Sequence, residues 1–140
     1  MKYMLKHKKV NGSILLTYNE DNRVVEFSFN CDITTEIWEY IISHFPCTKD
    51  VLETKFYKNF EIILVHTDLS FMAFWDLYNL KVGNKKRTEK LYNALTEHER
   101  VQAFAGAKRY ANYLALKPNQ DKCYPETFLS QRRWENSFNN

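Results

Sequence analysis

The 140 residues suffice for one compact domain or two small units, and 44% hydrophobic with 16% aromatic residues excludes a disordered or fibrous chain. The net charge of +3 is uneven: residues 1–70 carry eight basic and ten acidic side chains, whereas residues 71–140 carry twelve and seven. The apolar stretches are too short for a membrane span, and Cys31, Cys47 and Cys123 form no C-x-x-C pair. We therefore expect a cytoplasmic chain with reduced thiols and no membrane partner.

Residues 1–67 predict an α+β unit that begins with a small antiparallel β-meander. Strands at about 3–9 and 13–18 flank Asn11-Gly12, the pair that a two-residue type I′ hairpin turn needs. A third strand follows from Val24, with Val25, Phe27 and Phe29 alternating onto one face.

A helix is predicted next, from a cap at Asp32 or Thr34 to about Phe45, where Pro46 ends it. Its apolar stripe contains Ile37 and Ile41. A short second helix at 48–57 and a fourth strand at 60–65 complete the unit, which therefore combines the meander with one or two helices.

From Asp68 the apolar period becomes helical, and residues 68–140 predict a module of about four helices. The first begins at an Asp68 cap and ends at Gly83-Asn84, and the second spans about 86–95. The third opens with the capping box Thr96–Glu99 and reaches about Leu116, and the last runs from Pro125 to about Trp134. The fold class is α+β, with the two units either separate or sharing one core.

The helical module carries a spaced pattern of aromatic, basic and turn residues. The pattern consists of Phe74-Trp75-Asp76-Leu77-Tyr78, Lys81, Gly83, Lys85-Lys86, Lys90-Leu91, Leu95, Glu99-Arg100, Tyr110, Tyr124-Pro125-Glu126-Thr127-Phe128-Leu129, Arg132 and Trp134-Glu135. It resembles a segment near the C-termini of phage and prophage replication-initiation, or replisome-organiser, proteins. That resemblance implies association with replication or mobile-element DNA metabolism and implies no enzymatic activity.

Basic side chains in this module are the candidate nucleic-acid-binding residues, because Lys and Arg bind phosphates by counterion release. An ordinary solvated surface is the alternative explanation of the same residues. The candidates are Lys81, Lys85, Lys86, Arg87, Lys90, Arg100, Lys108, Arg109, Arg132 and Arg133.

Aromatic side chains of the module are candidate stacking platforms for unpaired bases, although their helical spacing favours packing in a core. Trp134 is the exception, because a polar tail follows it, and we expect it to cap the bundle or to dock a partner. The full set is Phe74, Trp75, Tyr78, Tyr110, Phe128 and Trp134.

Catalytic signals are weak. The four histidines lack metal-ligand spacing, no sequence context marks a cysteine nucleophile, and no metal or other cofactor is expected. Asp32 with Glu53 and Lys55 loosely matches the Asp…Glu-x-Lys arrangement of some metal-dependent nucleases, but Glu53 and Lys55 fall in a predicted helix or loop rather than at a strand end.

The sequence therefore predicts a non-enzymatic phage or mobile-element accessory protein. Its partner would be nucleic acid, most simply DNA, or a replication protein. The alternative is a protein-interaction module, an adaptor or inhibitor, in which the basic helices dock an acidic partner. In that alternative an N-terminal sheet edge supports strand addition or a homodimer.

Overall fold

The structure is a computed structural model that describes residues 1–136, so the end of the predicted helical module, 137–140, lies outside the described residues. The chain divides into two compact units, Met1–Val65 and the residues from His66 onwards. Each unit has its own cluster of buried apolar side chains. The predicted fold class is confirmed: an antiparallel four-stranded sheet with one helix is followed by four helices.

The sheet of the first unit contains β1 (Lys2–His7), β2 (Gly12–Tyr18), β3 (Val24–Cys31) and β4 (Phe60–Leu64). Their order is β3-β2-β1-β4, and every neighbouring pair is antiparallel. The first three strands form the predicted meander, and the chain returns after a helix to add β4 beside β1.

The predicted Asn11-Gly12 hairpin turn is wrong. Leu5 pairs with Ile14, which leaves residues 8–11 as a four-residue loop and makes Gly12 the first residue of β2. A turn centred on Asn11-Gly12 would have placed Lys8 and Lys9 in the ladder opposite apolar residues. The observed register instead pairs apolar side chains and leaves both lysines in the loop.

A β-bulge changes the predicted face of β3. Thr17 pairs with Glu26, but the next residue of β2, Tyr18, pairs with Val24, so Val25 is an extra residue. Val25 is 62% exposed, whereas Val24 packs against the buried cluster. The prediction that Val25 shares the inward face of Phe27 and Phe29 is therefore wrong.

One helix, α1 (Thr35–Ser43), packs on this sheet through Ile41. Thr34 caps it, because its hydroxyl accepts the N–H of Ile37 at 3.3 Å. The segment predicted as a second helix forms two short 3-10 helices, Lys49–Glu53 and Lys55–Tyr57.

The second unit contains α2 (Phe71–Tyr78), α3 (Lys85–Asn93), α4 (Glu97–Ala115) and α5 (Pro125–Ser130), and then a 3-10 helix, Arg133–Glu135. The capping box of Thr96 and Glu99 is confirmed: the Glu99 N–H donates to Thr96 Oγ1 at 3.2 Å, and the Thr96 N–H donates to Glu99 Oε1 at 2.9 Å. Pro125 occupies the first turn of α5, as predicted.

The two ends of α2 differ from the prediction. Ser70 rather than Asp68 is the N-cap, because Ser70 Oγ accepts the N–H of Ala73 at 3.2 Å. Asp68 instead accepts the N–H of Ser70 at 2.9 Å and so fixes the approach to the helix. At the other end Asn79 adopts a left-handed conformation with φ 56°, which ends α2 before Gly83.

Aromatic rings dominate the core of the helical unit. Phe74 is fully buried and lies 5.1 Å from Tyr92 and 5.8 Å from Phe104, measured between ring centroids. Phe128 of α5 stacks on Tyr110 of α4 at 5.9 Å. These contacts join all four helices around one apolar centre.

Candidate nucleic-acid interface

The predicted basic residues separate into two groups by what their side chains contact. In the first group, the side chain contacts other residues of the unit, and three members of the group pair with an acid. Arg87 Nε lies 3.1 Å from Glu126 Oε1, and Lys81 Nζ lies 2.9 Å from Asp76 Oδ1. Arg132 pairs with both Glu99 and Glu135.

Three further arginines of this group contact the backbone or neighbouring side chains of the unit. Arg100 donates to the carbonyl of Asn93 at 3.0 Å, and its guanidinium lies 5.4 Å from the centre of the Tyr92 ring. Arg109 donates to the carbonyl of Trp134 at 3.2 Å, and Arg133 donates to Gln131 Oε1 at 2.9 Å. These side chains connect elements of the unit and have less freedom to reach a ligand.

The second group is directed to solvent. Within residues 1–136, no hydrogen bond or ion pair is made by the side chains of Lys86, Lys90 and Lys108. Lys85 is exposed, and its ammonium lies 5.7 Å from the centre of the Trp75 ring. Lys85, Lys86 and Lys90 lie on α3, and we call these three residues the lysine patch. Lys81, in the loop before α3, stays in the first group because it pairs with Asp76.

Local backbone geometry assembles the lysine patch. The chain leaves α2 at Asn79 and turns at Gly83, where φ is +90°. Asn84 then caps α3, because its side chain accepts the N–H of Arg87 at 3.0 Å. Lys86 and Lys90 are one helical turn apart, about 6 Å along the axis, and so project from the same side of α3.

The start of α3 carries positive charge. The first turn of α3 contains no acidic residue and carries two adjacent lysines. The N-terminus of a helix holds a partial positive charge, so cations there repel it, whereas an anion is stabilised.

An exposed aromatic residue that was not among the predicted stacking platforms borders this patch. Tyr124 is 54% exposed and packs against Gly83, since a Cβ built on that glycine would lie 3.4 Å from Tyr124 Cδ2. Its location in a polar loop, outside any helical stripe, was the available signal.

The segment before Tyr124 is anchored by hydrogen bonds to buried tyrosines. The Tyr78 hydroxyl donates to the Cys123 carbonyl at 2.6 Å, and the Cys123 N–H donates to the Tyr110 hydroxyl at 3.1 Å. Lys122 donates to the Tyr78 carbonyl and lies over the same ring, and burial lowers the pKa of its ammonium. Tyr124 is thus held beside Gly83 by a fixed backbone.

The six aromatic residues considered as stacking platforms lie in the core. Trp134 is 1% exposed, and its ring centroid lies 6.2 Å from that of Phe128. Its side chain packs inside the helical unit, and the function proposed below does not use it. The others are Phe74, Trp75, Tyr78, Tyr110 and Phe128.

The three residues that loosely match a metal-dependent nuclease do not have the arrangement that such an enzyme needs. Glu53 ends one 3-10 helix and Lys55 begins the next, while Asp32 follows β3. Among the described residues, no group of three His, Cys, Asp or Glu side chains could hold a metal ion.

No helix of residues 1–136 combines the length and apolarity needed to cross a membrane.

These features define a class of protein: an α+β chain whose helical C-terminal unit presents a lysine-rich surface. Residues 66–132 match the family model described as the Legionella vir region protein LvrA C-terminal domain. The match begins at the first residue of the helical unit and ends before the 3-10 helix Arg133–Glu135, so it covers the four helices of that unit and none of the sheet. Comparisons with curated proteins and with solved structures gave no match.

Proposed function

We propose that this protein is a non-enzymatic, cytoplasmic accessory protein of phage or mobile-element DNA replication that binds the nucleic-acid backbone through the lysine patch. The observation that carries the proposal is the pair Lys86 and Lys90, which share one side of α3 and have no ionic partner among the described residues. The resemblance to replication-initiation proteins supports the replication setting.

Binding of this kind depends on salt. Each lysine that contacts a phosphate displaces a condensed counterion, so affinity falls as the salt concentration rises. Ammonium groups on flexible stems contact phosphates as point charges and read little sequence. The proposal therefore predicts weak sequence selectivity.

An electrophoretic mobility shift assay tests this proposal with single- and double-stranded DNA at about 50 and 200 mM salt. We expect a shift at low salt that weakens strongly at high salt. The triple variant Lys85→Gln, Lys86→Gln, Lys90→Gln should abolish most of it. The matched control replaces three exposed lysines of the first unit, Lys8, Lys9 and Lys58, by Gln, and should still bind. No shift of the wild-type protein at low salt would refute the proposal.

A second candidate function, protein interaction through self-association, is favoured by the free edge of β3. Beyond Val24, whose N–H donates to the Cys47 carbonyl at 2.9 Å, no described strand pairs with this edge. The neighbouring Trp38 and Ile42 are 43% and 49% exposed, and Trp38 lies 5.0 Å from Phe29 between ring centroids. The edge lacks the lysines and prolines that commonly prevent pairing.

A second copy of the chain suits this edge. Antiparallel pairing of two β3 strands centred on Ser28 places Glu26 opposite Asn30, so no like charges meet. Light scattering after size exclusion should then show a dimer, and Trp38→Glu should shift the protein to a monomer. Met72→Glu, at an equally exposed apolar position on α2, is the control. A wild-type monomer at every concentration would contradict this candidate.

A further inference from the structure

We infer that the nucleic acid taken by the lysine patch is single-stranded, and that Tyr124 stacks on one of its bases. This inference rests on the proposed function and adds the class of ligand to it. It depends on three observations: the exposure of the ring, its location beside the lysines, and the rigidity of the segment that carries it.

The exposure of Tyr124 differs from that of the other aromatic rings of the helical unit. Among the described residues, it is the one aromatic side chain of this unit that is largely open to solvent, at 54% exposed. Within residues 66–136, the Phe and Trp side chains are at most 5% exposed and support the core. An exposed ring is available to a ligand, and one that lies beside lysines can stack on a base while they contact the phosphates.

Two contacts locate Tyr124 beside the lysine patch. The ring packs against Gly83, and two residues later Glu126 pairs with Arg87 at 3.1 Å. Lys85 and Lys86 lie between Gly83 and Arg87 in the sequence. The start of α3 therefore runs alongside the segment that carries Tyr124. A backbone bound at these lysines would therefore present its next bases to the ring.

Gly83 is suited to this arrangement by its backbone. Its φ of +90° is a conformation that side chains with a Cβ rarely adopt. The exposed Val82, at 41%, adds apolar surface next to it.

A duplex does not offer the same contact. Its bases are stacked on one another, and a tyrosine reaches a base face only after the base has been unstacked, which costs a few kcal/mol. A single strand exposes its base faces, and aromatic side chains stack on them with little preference for sequence. The combination of a lysine patch and one exposed ring therefore selects for unpaired bases.

The test compares an oligothymidylate with an abasic strand of the same length and phosphate number, by fluorescence anisotropy. The wild type should bind the base-bearing strand about tenfold more tightly, the order expected for one stacked base. Tyr124→Ala should bind it only as tightly as the wild type binds the abasic strand, and Tyr124→Trp should restore the difference. Met72→Ala, at a 50% exposed position on α2, should keep the tenfold ratio.

The outcomes separate this inference from the proposed function. Equal wild-type affinity for the two strands, or a tenfold ratio that persists in Tyr124→Ala, overturns the stacking inference and leaves backbone binding intact. Absence of binding to either strand overturns both. A circular dichroism spectrum of Tyr124→Ala that matches the wild type excludes misfolding as the cause of its loss.

Discussion

Gly106 of α4 lies directly against the backbone and Cβ of Trp134. A Cβ built on Gly106 would overlap Trp134 Cβ and lie 2.7 Å from Trp134 Cα. This close approach lets the 3-10 helix at the end of the unit pack on α4, and it explains why an aromatic residue near the polar end of the chain is 1% exposed.

Gly106→Ala should therefore destabilise the protein, by about 1–3 kcal/mol for overpacking of a closely packed site. Helix propensity alone predicts the opposite sign, since Ala is favoured over Gly by about 1 kcal/mol in a helix interior. Urea unfolding monitored by tryptophan fluorescence decides between them, with Ala111→Gly on the exposed side of α4 as the control for propensity. Stabilisation by Gly106→Ala would contradict the packing described above.

Glu99 has two roles that substitution can separate. Burial raises the pKa of Glu99, but hydrogen bonds from Thr96 and Arg132 outweigh that effect, and the net pKa is lowered. Glu99→Gln keeps an acceptor for the Thr96 N–H but loses the charge opposite Arg132, and should cost about 0.2–1 kcal/mol. Glu99→Ala also removes the cap interaction and should cost about 1 kcal/mol more.

The lowered pKa of Glu99 also sets a pH dependence. Its contribution is present above the ordinary carboxyl pKa and is lost as the pH falls through the lower folded-state value. The wild-type advantage over Glu99→Gln, measured by urea unfolding, should therefore shrink on acidification. An advantage that grows at low pH would contradict the Arg132–Glu99 pair.

Arg100 tests the division of the basic residues into side chains that contact the helical unit and side chains that are free to bind DNA. It donates to Asn93, lies over Tyr92, and has a buried Nε with no hydrogen-bond partner in the described structure. Arg100→Ala should lower stability by about 1–2 kcal/mol and leave DNA affinity nearly unchanged. Lys90→Ala should show the reverse pattern in the same unfolding and anisotropy measurements. Equal effects of the two substitutions on affinity would remove the distinction between the groups.

Buried tyrosines predict a loss of stability in alkali. Burial raises the pKa of Tyr18, Tyr57, Tyr78 and Tyr92 above the ordinary value of about 10. The unfolded chain ionises first, so the free energy of unfolding should fall as the pH rises above about 10. Urea unfolding at increasing pH measures the fall, and Tyr92→Phe should reduce its slope. A flat profile would contradict the burial of these hydroxyls.

Local signals in the sequence predicted the features that depend on near neighbours. The capping box at Thr96–Glu99 and the Pro125 helix start involve residues within one turn, and both are present. The predicted start of α2 lay two residues before the observed one, because Asp68 and Ser70 both carry capping side chains. Only the folded backbone distinguishes them.

Features set by distant partners were beyond the sequence. In the observed β1–β2 register, Leu5 pairs with Ile14. Local turn preferences favoured a different register, with the turn at Asn11-Gly12, and so could not predict this one. The same holds for the candidate site. Arg87 has its acid 39 residues away, at Glu126, so the sequence alone could not separate it from the unpaired Lys86 and Lys90.

Tyr124 and Trp134 show the same limit for aromatic residues. Both follow the long helix in polar surroundings, yet one is 54% exposed and the other 1%. The difference arises because Gly106 opens a site for Trp134, whereas Gly83 brings the chain against Tyr124 without covering it.

The central claim, that the lysine patch binds the nucleic-acid backbone, is tested most directly by the salt dependence of single-stranded DNA affinity. Each phosphate contact contributes about 0.7 to the slope of log affinity against log salt concentration. Replacing Lys85, Lys86 and Lys90 by Gln should therefore reduce the slope by about two relative to the wild type. A slope that is the same in the triple variant and the wild type would contradict the claim.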